Sequence, residues 1–286
     1  MVFQEGVDLP LFASFHLLNS DGGRARLRAY FDRYVPAARQ AGAGLLLESP
    51  TWRANPDWTA KLGLTDADTE RINRDAIEFL EVVRRDHETD RAPMVISGCV
   101  GPRGDGYDPG SGMTADEAEA YHARQIGVLA DTAADMITAL TMTNVEEAIG
   151  VARAARAAKI PVAISFTVET DGRLPTGQAL GDAVAEVDAA TGNAPAYFMV
   201  NCAHPNHFRA ALVGNPRIRG LRANASSCSH AELDNAKVLD DGDPVEFGGQ
   251  FAEFLCEHPQ LVVLGGCCGT DHRHIEQIGL AVRAAA

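Results

Sequence analysis

The chain has 286 residues and a formal net charge of −14 from 25 basic and 39 acidic side chains. A uniformly acidic surface repels phosphate backbones, which argues against nucleic-acid binding. No apolar run approaches the roughly 20 residues that span a bilayer, and the opening MVFQEGVDLP lacks the basic and apolar parts of a signal peptide, so a cytoplasmic protein without membrane segments is expected.

At about 150 residues per domain the length suits two small domains, but one α/β barrel also fits. Residues 1–20 hold only a weak apolar patch broken by Pro10, followed by a helix near 22–40. A strand is expected at 44–48 (GLLLE), then a helix at 66–87 introduced by Thr65 and Asp68. The strand at 93–99 (PMVISGC) runs into a Gly/Pro-rich loop at 101–112, and Thr114 with Glu117 reads as the capping box of a helix at 114–132. Strands follow at 136–139, 162–166 (VAISF), 197–201 (YFMVN), 218–222 and 261–265 (LVVLG), with helices near 144–159, 178–191, 205–213, 246–258 and 271–284.

The strands are apolar without alternation, as in strands buried on both faces, and their alternation with helices predicts a parallel sheet. It continues to the C-terminus without a break in composition, so residues 1–286 are expected to form one domain. A doubly wound sheet accommodates seven strands, but neither GxGxxG nor GxxxxGK[ST] is present. A (β/α)8 TIM-type barrel is the favoured fold. Seven strand–helix units leave it one strand short, and the first strand is the missing or truncated one.

Of the six cysteines, Cys202 follows the strand at 197–201, and Cys267 and Cys268 follow the strand at 261–265. In a parallel barrel all strand C-termini open on one face, where catalytic residues gather. Three thiolates with a free fourth position make a catalytic zinc site, whereas structural sites close with four protein ligands. Gly265 and Gly266 are expected to permit the backbone path that two adjacent ligands require. Cys99, Cys228 and Cys256 are expected to be small packing residues. His204, His207, His272 and His274 are alternative ligands, but capping or surface positions on the neighbouring helices account for them, with Thr270 or Asp271 capping the last helix.

The segments GLLLESPTWRANPDW (44–58), ISGCVGPRGDGY (96–107), ISFTVETDGRLPTG (164–177), VNCAHP (200–205) and GGCCGT (265–270) together resemble the homocysteine S-methyltransferase family of zinc-dependent thiol methyltransferases, which includes betaine–homocysteine methyltransferase. The resemblance extends over nearly the whole chain from about residue 40. It implies a (β/α)8 barrel, Zn2+ held by Cys202, Cys267 and Cys268, and transfer of a methyl group from a sulfonium or ammonium donor to a thiol such as homocysteine, giving methionine. It also implies that Glu48, Thr51, Ser165 and Asn201 line the substrate pocket. The sequence departs from the family in two places. The family's opening strand with its Asp-Gly-Gly element is missing, and the family's Phe-Glu-Thr near 136–140 is replaced by Ile137-Thr138-Ala139-Leu140-Thr141, so either the thiol is not homocysteine itself or a substrate ammonium needs another acid such as Glu48 or Glu169. Trp52 offers a cation–π face for a cationic donor, with simple packing as its other reading. The rival functions are a zinc-binding barrel without methyltransferase activity, serving as a binding or regulatory protein, and a different zinc barrel enzyme. The partners expected are a small-molecule thiol and a methyl donor, and a homo-oligomer is compatible with the sequence.

Overall fold

The computed structural model describes residues 6–110 and 112–285. Seven strands form one all-parallel sheet in sequence order: β1 (Leu45–Glu48), β2 (Met94–Val100), β3 (Met136–Met142), β4 (Val162–Phe166), β5 (Tyr197–Asn201), β6 (Ile218–Ala223) and β7 (Val263–Gly266). The sheet is curled into a half-barrel, as in a TIM-type fold. Among the described residues β1 and β7 share no ladder, so the strand missing from the sequence pattern is also missing from the sheet. Residues 1–5 of the expected weak apolar patch lie outside the described residues. The remainder forms 3-10 turns at Pro10–Phe12 and Ser14–Asn19.

The helices are α1 (Asp21–Ala41), α2 (Pro56–Lys61), α3 (Asp66–His87), α4 (Ala115–Ala130), α5 (Val145–Ala157), α6 (Leu180–Thr191), α7 (Pro205–Phe208), α8 (His230–Asp234), α9 (Pro244–Glu257) and α10 (His272–Ala285). The capping boxes Thr65/Asp68 and Thr114/Glu117 both form, each satisfying backbone N–H groups that a helix start leaves unpaired. The short helices α2 and α8 carry too few residues to show a helical period and were not anticipated. The helix expected over 205–213 is one turn, α7, followed by a 3-10 turn at Arg209–Leu212. β3 runs on to Met142, beyond the expected 139, because its apolar residues continue through a register shift against β4.

Alternate residues of each strand belong to two apolar clusters. Leu47, Ile137, Ile164, Phe198 and Leu264 join the large core beneath the helices. Leu46, Met136, Ala163, Met199 and Val263 form a small apolar layer on the inner, concave face. Gly220 keeps that layer closed, since a Cβ there would meet Met199 Cγ at 2.6 Å. Two residues further along each strand the inner face turns polar, with Glu48, Thr138, Ser165, Asn201 and Arg222 at the C-terminal rim.

The loop after β2 is tied down over this rim. Glu147 Oε1 on α5 accepts from the Arg103 backbone N–H (2.7 Å) and lies 2.9 Å from His122 Nε2 on α4. Arg53 Nη1 donates to Gly104 O (3.0 Å) and Trp58 Nε1 to Arg103 O (3.0 Å). Glu147→Ala should therefore leave the buried His122 ring nitrogen and the part-buried Arg103 N–H without this acceptor and cost about 3 kcal/mol, read as a lower urea midpoint. An unchanged midpoint would show that the loop is held by its other anchors.

Candidate metal centre

Cys202 stands directly after β5 with φ +58, a left-handed conformation that is costly for a side chain carrying a Cβ. Its N–H donates to Arg222 O (3.1 Å), and His230 Nε2 donates to its carbonyl (2.7 Å). Because a carbonyl only accepts, that ring nitrogen carries the proton, and Nδ1 lies 3.1 Å from Glu169 Oε1. Cys267 N–H donates to Ala223 O (2.7 Å), Cys268 N–H to Asn224 Oδ1 (3.0 Å), and Cys268 O accepts from Ala225 N–H (3.0 Å). β5, β6 and β7 thus hold both cysteine segments through the backbone that leaves β6.

This arrangement brings the three sulfurs together. Cys202 Sγ lies 3.2 Å from Cys267 Sγ and 3.4 Å from Cys268 Sγ. All six cysteines are free thiols. Sulfurs around a tetrahedral zinc with bonds of about 2.3 Å stand roughly 3.8 Å apart, so the observed spacing is close to a metal-binding one. Cys202 is buried, Cys267 partly so and Cys268 exposed, which leaves the cluster open on one side. The donor set therefore fits a soft divalent metal such as zinc.

The cluster cannot ionise freely. Hydrogen bonds from Cys202 and Cys268 pull the Cys267 thiol well down, and the nearby Arg222 guanidinium adds to this. The same hydrogen bond to Cys267 pushes the Cys202 thiol well up. Cys202 pulls Cys268 down, but Cys267 and the desolvation of the Cys268 sulfur, which sits against Tyr107 and Cys202 although the residue is exposed, outweigh it and push Cys268 up to about 12. One thiolate shared by three close sulfurs is the state a bound cation would extend to all three.

Tyr107 covers the cluster. Its hydroxyl lies 3.1 Å from Cys202 Sγ and 3.6 Å from Cys268 Sγ, and its ring stacks on His230 at 4.1 Å. Burial and the neighbouring sulfurs hold that hydroxyl protonated. Tyr107, His230, Asn224 and Arg222 were not singled out from the sequence. Tyr107 lay within the GPRGDGY motif, but only the anchored loop shows what it faces.

The other expected residues fall in three places. Glu48 is on the inner face, 3.8 Å from Arg222 Nη1. Ser165 and Asn201 meet each other: Asn201 Oδ1 accepts from Ser165 Oγ (2.6 Å) and from Thr141 N–H (2.9 Å), while its Nδ2 donates to Thr141 Oγ1 (2.9 Å). The two bonds from Asn201 clasp Thr141, whose φ of +63 is strained for a β-branched residue. Thr51 is fully buried, donating to Cys99 O (2.7 Å) and lying 2.6 Å from Ser49 Oγ.

Several expectations need correction. Cys99 is buried as expected, but Cys228 and Cys256 are exposed. Cys228 sits in the turn before α8, and Cys256 lies on the outward side of α9. Neither Gly265 nor Gly266 has positive φ; the left-handed glycine is Gly269 (φ +81), past the two cysteines. Gly266 is required for another reason, since a Cβ there would lie 2.1 Å from Thr270 Oγ1. The histidines behave as capping and packing groups. His204 Nδ1 accepts from Asn206 N–H (3.2 Å) at the start of α7, and His274 Nε2 donates to Asp241 O (2.9 Å). Asp271 Oδ1 accepts from Arg273 N–H (2.9 Å) at the start of α10. The cation over Trp52 is the chain's own Arg53, 4.1 Å from the ring centre.

A curled parallel α/β sheet carries, at its C-terminal rim, three convergent thiols that could hold a metal ion. The chain belongs to the homocysteine S-methyltransferase family, whose model matches residues 6–282. It is 25% identical over 272 residues to homocysteine S-methyltransferase 4 of Zea mays, covering 86% of this chain and 77% of that protein. Its fold is similar to that of the Escherichia coli homocysteine methyltransferase MmuM. The oxidized form aligns with TM-score 0.74 and 22% identity over 96% of this chain and 89% of MmuM, and the metallated form with TM-score 0.71 and 20% identity over 96% and 88%. No helix among the described residues is long and apolar enough to cross a membrane.

Proposed function

We propose that this protein transfers a methyl group from a small sulfonium or ammonium donor to a thiol such as homocysteine, giving methionine, with zinc at its centre and the whole chain acting as one barrel-type unit. The observation that carries this reading is the convergence of Cys202, Cys267 and Cys268, with sulfurs 3.2 and 3.4 Å apart, on the open rim of the sheet. These three residues would hold the metal, which when bound supplies the positive charge that keeps a substrate thiol deprotonated at neutral pH.

The chain's own groups do the rest by positioning. His230 and Asn224 fix the backbone on either side of the cluster, at the Cys202 carbonyl and the Cys268 amide. Tyr107 stands over the sulfurs, excludes water from that side and can donate its proton to a thiolate sulfur, tempering the charge there. Asn201, Ser165 and Thr141 make a rigid wall, and Thr51 locks the backbone after β1 to β2. Glu48 faces the inner space, where an ammonium group would balance its charge. Attack on an activated methyl needs in-line placement and little proton transfer.

The zinc-loaded protein should methylate homocysteine with at least one of S-methylmethionine, S-adenosylmethionine or betaine, followed as methionine formed. Fully metallated protein that turns over none of the three donors would instead support a zinc-binding barrel without catalysis.

A further inference from the structure

The sequence offers Glu169 as an acid for a substrate ammonium, but in the structure its carboxylate is turned to His230, with Oε1 3.1 Å from Nδ1. The turn after β4 fixes it there. Glu169 N–H donates to Arg173 O (2.8 Å), and Glu169 O accepts from Gly172 N–H (2.9 Å). Gly172 is left-handed at φ +77, and a Cβ on it would lie 2.8 Å from His207 O, so the turn is packed against α7. His230 opens α8, where Ser229 and Glu232 form a capping box. The helix start therefore sets its place, and the residue is buried.

The His230 ring is engaged at both nitrogens and on one face. Nε2 donates to Cys202 O at 2.7 Å, Nδ1 meets Glu169, and the face stacks on Tyr107 at 4.1 Å with the planes 24° apart. The Tyr107 hydroxyl lies 3.1 Å from Cys202 Sγ. The ring thus reaches one cysteine by two routes, at its carbonyl directly and at its sulfur through Tyr107. Cys202 needs such a grip, because a φ of +58 is strained and persists only where the surroundings over-determine it. A half-turn of the imidazole about Cβ–Cγ would put Cδ2 in place of Nδ1 and Cε1 in place of Nε2, and both hydrogen bonds would be lost. The stack on Tyr107 does not tell the two orientations apart, whereas the carboxylate does. We propose that Glu169 is a positioning residue of the metal centre. By holding the His230 ring in one orientation, it aims Nε2–H at the Cys202 carbonyl and seats the face that carries Tyr107, so that the carbonyl and the sulfur of Cys202 are set together.

The placement of the three residues explains why one carboxylate matters here. Glu169 follows β4, Cys202 follows β5 and His230 lies beyond β6, so the pair ties together three successive strand ends with the cysteine in the middle. Metal-ligating histidines lean on a carboxylate in a similar way. In this chain the histidine holds the backbone of a thiol residue instead. Glu169 itself is half-buried, so its side chain can be removed without opening the core.

This role rests on the reading of Cys202, Cys267 and Cys268 as a metal site, but not on methyl transfer. Glu169→Ala should weaken zinc by about 10–100-fold, the range for such outer partners, read by competition with a chelator. With cobalt in place of zinc, the visible bands of this variant should differ from those of the wild type. Glu169→Gln should recover most of the affinity, since an amide can donate to Nδ1 and keep the ring orientation. His230→Phe keeps a ring against Tyr107 and loses both nitrogens. In that background Glu169→Ala should cost less than about twofold, because nothing remains for it to orient. In the loaded enzyme kcat should fall more than the KM for the thiol rises. Full zinc affinity and unaltered cobalt bands in Glu169→Ala would overturn the proposal. So would a Glu169→Gln variant as weak as Glu169→Ala, or an undiminished loss in the His230→Phe background. A rise in KM alone, with the metal unaffected, would return Glu169 to the role of substrate acid. If His230→Phe fails to fold, the two Glu169 variants decide it. Wild-type protein that binds neither zinc nor cobalt would remove the metal reading and this role with it. Glu169-dependent metal affinity without methyl transfer would uphold the role and remove only the proposed reaction.

Discussion

Cys202→Ala is expected to strip the protein of stoichiometric zinc and abolish methyl transfer while leaving the fold intact. Losing one of three thiolates should weaken zinc by roughly a thousandfold, about 4 kcal/mol of the 10–16 kcal/mol that zinc–thiolate sites provide. The fold should tolerate the change because Cys202 sits at a strand end, and its backbone bonds to Arg222 and His230 do not involve the sulfur. Alanine keeps the left-handed strain at φ +58, so Cys202→Gly is the useful companion: it should lose the metal equally and melt no lower. Metal content by elemental analysis and a thermal melt together test this. Full zinc occupancy in either variant would mean that the metal, if bound, is held elsewhere.

Gly266→Ala should have the second-largest effect, although it touches no ligand side chain. A Cβ at this position would lie 2.1 Å from Thr270 Oγ1 and 2.6 Å from Thr270 Cβ, so the Cys267–Thr270 turn must shift. Thr270 clasps that turn through its hydroxyl to Cys267 O (2.8 Å), and moving it displaces both Cys267 and Cys268. A displacement of about 1 Å in a catalytic constellation costs roughly a hundredfold in rate. Zinc affinity and turnover should fall together, by about two orders of magnitude on that basis. Gly265→Ala is the control for metal content, because a Cβ there meets only the Arg222 side chain, at an ordinary contact distance of 3.5 Å from Cγ, and the cysteines need not move. Equal metal loss in both variants would show that the clash at Thr270 is not the cause.

These two residues also mark what could be read from the sequence. Strand ends were legible because apolar runs stop where polar or cysteine residues begin; β4 and β5 lie at the expected residues, and their C-terminal ends were enough to bring Cys202 near Cys267 and Cys268. The role of Gly266 was misassigned, since the sequence shows a glycine but not the Thr270 side chain folded against it. Cys228 and Cys256 were misplaced because a lone cysteine does not reveal which way its turn or helix faces.

The amino-acid sequence alone determined the alternation of strands and helices, the caps of α3 and α4, the cysteine trio and the family, since each depends on residues close in the chain or on a short motif at a strand end. Tertiary structure decided the rest. Tyr107 reaches the sulfurs only because Glu147 and Arg53 pin its loop. Asn201 is committed to Ser165 and Thr141 by strands that lie far apart in sequence. Glu48 meets Arg222, 174 positions later, only because the sheet curls. The physical reason is one of range: backbone preferences and apolar periodicity act over a few residues, whereas the pairing of buried charges depends on which strands the curled sheet sets facing each other.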